Sequence, residues 1–295
     1  MLKLKRLEIS TGHRLLQPGS RAPRFATFAA DYLAWSAAEH PASAAHIASL
    51  VTLHLIPDFG SEHLDTIRPK MVEDYKQRRA REAKAATVGK EIRTLKAMLN
   101  RAVAWELLAR NPIAQVSEPK LLDSKPPRYL TIDELAALYG AAGDVHRAIW
   151  RLYANTGMRR MEGIHLRREH IGSDALRILS TAEARTKSAR WREIPISIGA
   201  RQALDDLPKI TGGWVLPRMH PASLSRECIR DARAAGLRGV GLHTLRHTYI
   251  SHLVMGGAPL RAVQVLAGHS TVRVTEGYSH LAPEWMAGIG RSLAL

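Results

Sequence analysis

Apolar residues recur every three or four positions through TVGKEIRTLKAMLNRAVAWELLARN (87–111), where Val88, Ile92, Leu95, Leu99 and Val103 form one stripe. That spacing predicts an amphipathic helix, capped by Thr87 and stopped at Asn111-Pro112. Lys90, Arg93 and Arg101 fall opposite the stripe, on what is either a solvated charged face or a surface that meets phosphate. Helix-type patterns also run over 25–56 and 66–86, with a break at Ile56-Pro57-Asp58-Phe59-Gly60. The result is an all-helical domain over 25–116, preceded by a tail at 1–24.

The pattern then lapses. Prolines at 119, 126 and 127 remove backbone donors and disfavour helix, so 117–126 reads as a linker. Thr131 and Glu134 have the spacing of a capping box, which starts a second domain over 127–295. Helices are expected at about 131–141 and 145–157. Leu176-Arg177-Ile178-Leu179 and Trp191-Arg192-Glu193-Ile194-Pro195-Ile196 read as two short strands around the polar turn TAEARTKSAR. Beyond residue 198 the helical period returns. The fold class is therefore mainly α with a small antiparallel β-sheet.

Charge narrows the partner. Among 295 residues, 43 Lys and Arg stand against 27 Asp and Glu, a formal net charge of +16. A surface of that sign attracts polyanions, of which nucleic acid is the commonest. A compositional bias toward Arg or a membrane surface are the other sources of such a charge. The single cysteine, Cys228, excludes an internal disulfide framework and a cysteine-ligated zinc finger. The N-terminus has no continuous apolar core of a secretory signal, and no run of about eighteen apolar residues occurs. A cytoplasmic protein is expected.

Four places in the second half concentrate groups suited to phosphate. In Thr156-Gly157-Met158-Arg159-Arg160-Met161-Glu162, Arg159 and Glu162 stand three apart, so the carboxylate can orient the guanidinium or simply form a surface ion pair. Lys187 occupies the strand-joining turn, where a lysine is ordinarily just solvated. His243 and Arg246 lie one turn apart in Leu242-His243-Thr244-Leu245-Arg246-His247. His243 and His247 also have the spacing of a helical zinc pair, but Thr244 stands where that pattern needs a glutamate. Finally, Gly268-His269-Ser270 is followed by Tyr278 in TEGYSHL.

In that order, the arginine of TGMRRME, the lysine of TK, HTLR, GH and the late tyrosine resemble the tyrosine recombinase or phage integrase family. The resemblance covers about 127–283 and is most specific over HTLRHTYISHLVMGGAPLRAVQVLAGHSTVRVTEGYSHL. The helical domain before it is similar to that family's core-binding domain. The resemblance implies an α+β catalytic domain in which Arg159 and Arg246 are the arginine pair, Lys187 the general acid, His243 and His269 the phosphate-binding histidines, Glu162 a supporting acid and Tyr278 the nucleophile. It further implies strand exchange through a 3′-phosphotyrosine without metal or cofactor, on double-stranded DNA at specific core sites, within a homo-tetramer. His243 is one histidine that could help with the tyrosine proton, and the sequence leaves open which group takes it. Gly277 and Ala267 depart from the family's usual residues. Integration or excision of a mobile element is the leading biological role, with a Xer-like resolvase, type IB topoisomerase-like relaxation and an inactive DNA-binding accessory protein as alternatives.

Overall fold

A computed structural model of the chain describes residues 21–119, 126–179 and 191–281. The chain divides into two compact units, Met1–Ser124 and Lys125–Leu295. The first is built of helices: α1 (Phe25–Glu39), α2 (Pro41–Leu50), a π-helical turn at Val51–Leu55, α3 (Ile56–Phe59), α4 (Pro69–Arg79) and α5 (Ala85–Ala104).

Several boundaries differ from the sequence expectation. An additional break comes at His40, because the residue before a proline is pushed out of the α region and Pro41 then opens α2, and the break expected at Ile56–Gly60 falls after Phe59, before Pro69. At Pro57 the chain stays helical. The wide turn at Val51–Leu55 precedes it, and Pro57 stands in the first turn of α3, where a missing N–H costs little. α5 begins before Thr87 and stops at Ala104 rather than Asn111: Glu106 turns left-handed (φ 59°), and the Leu107 N–H donates to the Ala102 carbonyl at 2.9 Å.

The stripe of α5 does what its period predicts. Val88, Ile92, Leu95, Met98 and Leu99 are buried with Phe25, Phe28, Phe59 and Tyr75. Glu91 shares that interior at 1% exposure, accepting from the Tyr75 hydroxyl at 2.7 Å and from Arg79 Nη2 at 2.7 Å. Burial pushes its pKa up, and the Arg79 and Tyr75 hydrogen bonds more than reverse this. Glu91→Ala is expected to cost about 3 kcal/mol by stranding Arg79 and the Tyr75 hydroxyl, read as a fall in thermal denaturation temperature. A variant that melts with the wild type would mean that the pair is solvated in solution.

The second unit holds α6 (Ile132–Ala141), α7 (Asp144–Thr156), α8 (Arg160–Ile164), β1 (Ala175–Ile178), β2 (Arg192–Pro195), α9 (Ile198–Asp206), α10 (Pro221–Ala234), α11 (Leu242–Met255), α12 (Leu260–Ala267) and α13 (Val272–Glu276). The capping box forms: Glu134 N–H donates to Thr131 Oγ1 at 3.2 Å and Thr131 N–H to Glu134 Oε2 at 3.0 Å. β1 and β2 pair antiparallel, Leu176 opposite Ile194 and Ile178 opposite Arg192. Leu176, Ile178 and Ile194 point into a core with Trp150, Tyr153 and Leu245. Arg192, of the same parity as Ile194, is carried inward with them at 8% exposure. Among the described residues, no helix is long and apolar enough to cross a membrane.

Candidate active site

α7 ends where Gly157 takes the left-handed conformation (φ 60°), and a Cβ there would stand 2.3 Å from the Tyr249 ring. Only glycine lets the chain turn this tightly against α11. The turn delivers Arg159 to the start of α8. There its backbone N–H donates to Glu162 Oε2 at 2.8 Å and its Nη1 to Oε1 at 2.8 Å. The Gly157 carbonyl accepts from Arg246 Nη1 at 2.6 Å.

A second glycine closes the other side. Gly268 ends α12 at φ 67°, and a Cβ on it would meet Arg192 Nη1 at 2.9 Å. Two neighbouring carbonyls of this turn anchor the two arginines: Arg246 Nη2 donates to Ala267 O at 2.6 Å and Arg159 Nη2 to Gly268 O. A guanidinium has five N–H donors, so two anchors fix its plane without exhausting the fork. Burial, and then the charge of Arg159, hold the Arg246 pKa down at about 10, so Arg246 remains a cation at neutral pH.

Glu162 is the strut beneath the pair. Arg192 Nη1 and Nη2 donate to its two oxygens at 3.0 and 2.8 Å, and Arg192 Nε donates to Leu266 O at 2.9 Å. Burial pushes the carboxyl up, but the Arg192 bonds, with Arg159 adding to them, bring its pKa down to about 2. The sequence reading missed Arg192. Its signal was the strand alternation, which places it on the face of Ile194.

The histidines converge on the same turn. His269 Nδ1 is bonded to Thr275 Oγ1 at 2.9 Å, three residues before Tyr278. Burial, followed by the fields of Arg246, Arg159 and Arg192, lowers its pKa to about 4. His243 keeps one side open to solvent; partial desolvation of its ring, and then the charges of Arg246 and Arg159, lower its pKa. Its ring meets that of His247 edge-on at 4.5 Å.

Tyr278 is 3% exposed and packs among Ile250, Val254, Val263 and Ala267. Its hydroxyl hydrogen-bonds His247 Nδ1. Desolvation pushes the phenol up to about 12, partly offset by Arg246, so it is protonated at neutral pH. His247 was visible in the sequence only as a discounted zinc partner of His243. Thr275 gave no signal at all.

Lys187 lies outside the described residues. In the first unit, Lys90 is exposed, Arg93 pairs with Glu118, and Arg101 stacks on Trp35 at 3.8 Å. The one cluster with metal-ligand spacing among the described residues, His146, Glu227 and Asp231, is tied up by Arg230 and by the Trp150 N–H, which donates to Asp231 at 3.0 Å.

Residues 128–284, more than half of the chain, match the phage integrase family. The chain belongs to that family. Among its relatives is the tyrosine recombinase XerD of Mycobacterium tuberculosis, 33% identical over 207 residues. That match takes in 61% of this chain and 65% of the relative's length. The fold is similar to that of the Tn1549 transposon integrase in complex with transposon right end DNA, with a TM-score of 0.74 at 18% identity over 92% of this chain and 100% of that one. It is similar too to the lambda integrase tetramer bound to a Holliday junction, with a TM-score of 0.73 at 18% identity over 93% and 84% of the two chains.

Proposed function

We propose that this chain is a site-specific DNA recombinase in which Tyr278 attacks a phosphodiester, holds the 3′-phosphate as a tyrosine ester and releases it to a new strand. The observation that carries the reading is the pair of guanidiniums, Arg159 and Arg246, anchored on the adjacent carbonyls Gly268 and Ala267 within the segment that leads to Tyr278. Fixed cations of this kind neutralise the charge that grows on the phosphate oxygens in the transition state. The ester conserves the bond energy for rejoining, because a phenol with a pKa of about 10 is a better leaving group than a sugar hydroxyl.

His243 and His269 are assigned to hydrogen-bond the phosphate, and Lys187 to protonate the departing 5′-oxygen. Glu162 orients Arg159. The arginines supply the neutralisation that a metal gives other phosphoryl-transfer enzymes, so the reaction needs neither metal nor energy cofactor. The substrate is double-stranded DNA at paired core sites, and the working assembly is a homo-tetramer, a reading supported by the fold shared with the tetrameric lambda integrase. Residues 25–116 are read as the DNA-binding half, with Lys90 and Arg93 facing the backbone, and 127–295 as the catalytic half. Arg101, stacked on Trp35, keeps an edge for phosphate only from that platform.

Integration or excision of a mobile element is the role we favour, in line with the transposon integrase fold. Chromosome-dimer resolution is the second reading, favoured by the XerD relative. Incubation with a nicked, end-labelled core-site duplex in excess EDTA is expected to give a denaturation-resistant protein–DNA adduct. Failure in EDTA with recovery on added magnesium would overturn the metal-free mechanism, and relaxation of supercoils without any core site would favour a topoisomerase.

A further inference from the structure

We propose that His247 is the base that takes the Tyr278 proton, an assignment that rests on Tyr278 being the nucleophile. Contact is the first support. The Tyr278 hydroxyl is bonded to His247 Nδ1, and the two rings lie 5.9 Å apart at 37°, whereas His243 meets the far partner of that pair. Position is the second. His247 follows Arg246 directly on α11, so the base and one phosphate-binding cation are set by a single rigid helix. The third is the state of the ring. Burial, then the charges of His243 and Arg246, hold the His247 pKa at about 4, which leaves a neutral imidazole with a lone pair at neutral pH.

A base held that low in the empty site gains strength when substrate enters. The charged and titratable groups around the ring are His243 and Arg246 on α11, His269 beyond α12, and Tyr278 itself. A phosphodiester anion seated on Arg159 and Arg246 offsets the Arg246 charge that acts on His247, so the proton affinity of the imidazole rises with substrate in place. The hydroxyl becomes more acidic at the same moment, as its oxygen gives electrons to phosphorus.

The step balances. The Tyr278 proton passes to Nδ1 while the oxygen's electron pair forms the new O–P bond. The P–O5′ bond breaks with its pair on the 5′-oxygen, which takes a proton from Lys187. His247 ends one proton up and Lys187 one proton down, and rejoining returns both.

The test is single-turnover adduct formation on nicked DNA by wild type, His247→Ala and His247→Asn. Asparagine keeps an acceptor near the Nδ1 position but cannot take the proton. With DNA affinity unchanged as the check on folding, both variants are expected to be slower by about 100-fold, the lower range for loss of a general base. The rate of His247→Asn should climb from pH 7 to 9, as hydroxide replaces the imidazole. Placing 3-fluorotyrosine, a more acidic phenol, at 278 should speed His247→Asn more than it speeds the wild-type side chain at 247. An adduct rate in His247→Asn within about threefold of wild type, or equal fluorotyrosine effects in both backgrounds, would show that His247 only holds the hydroxyl. A wild-type protein that forms no adduct overturns the recombinase reading itself, which is a different result from a normal adduct in His247→Asn.

Discussion

Tyr278→Phe is expected to abolish the covalent protein–DNA adduct while leaving the fold and the affinity for DNA intact. The ring is held by Ile250, Val254, Val263 and Ala267, and phenylalanine fills the same space. What is lost in the folded protein is one hydrogen bond to His247, a change of about 1 kcal/mol. What is lost in the reaction is the attacking atom. The remaining buried phenols offer no substitute: Tyr75 donates to Glu91, Tyr153 donates to the Arg160 carbonyl at 2.8 Å, and Tyr32 packs in the core of the first unit. A denaturing gel of nicked, labelled substrate reads the adduct, and filter binding reads the affinity. A persistent adduct in this variant would remove Tyr278 from the nucleophile's role.

How far the sequence carried this site depends on the kind of signal. Period and punctuation were legible: the α5 stripe, the Thr131–Glu134 capping box and the two strands all form as their spacing predicts. The order of Arg159, His243, Arg246, His269 and Tyr278 was legible as a family pattern, although no single neighbour of Tyr278 marks it. Interactions that depend on tertiary approach were not. The π-turn at Val51–Leu55 absorbs Pro57 without interrupting the helix, and no local rule reports it. Glu106 turns left-handed without a glycine, so α5 ends early. Arg192 lay in the strand alternation as a charge at an inward position, a local conflict that points to a partner. The spacing of His247 from His243 is that of a metal pair, which masks any other role. Which ring reaches a hydroxyl thirty-one residues away is decided by how α11 and the segment after α13 pack.

Arg192→Met is expected to destabilise the protein by about 3–5 kcal/mol and to slow adduct formation, although Arg192 itself is not assigned to the phosphate. In the wild type, the side chains of Glu162 and Arg192 are 5% and 7% exposed and joined by two parallel bonds. Methionine fills the volume but leaves a buried carboxylate with Arg159 as its remaining cation. It also frees the Leu266 carbonyl, which immediately precedes the Ala267 and Gly268 carbonyls that anchor Arg246 and Arg159. The pH dependence separates this from simple loss of packing. The Glu162 pKa is lowered from 4.5 to about 2 in the folded protein, so its contribution is fully present above the unfolded value and is lost as pH falls toward 2. The gap in denaturation temperature between wild type and Arg192→Met should therefore be widest near neutral pH and close between about pH 4 and 2. A gap that stays constant across that window would mean that the arginine acts through its packing alone, and the role of Glu162 as the strut under Arg159 would fall with it.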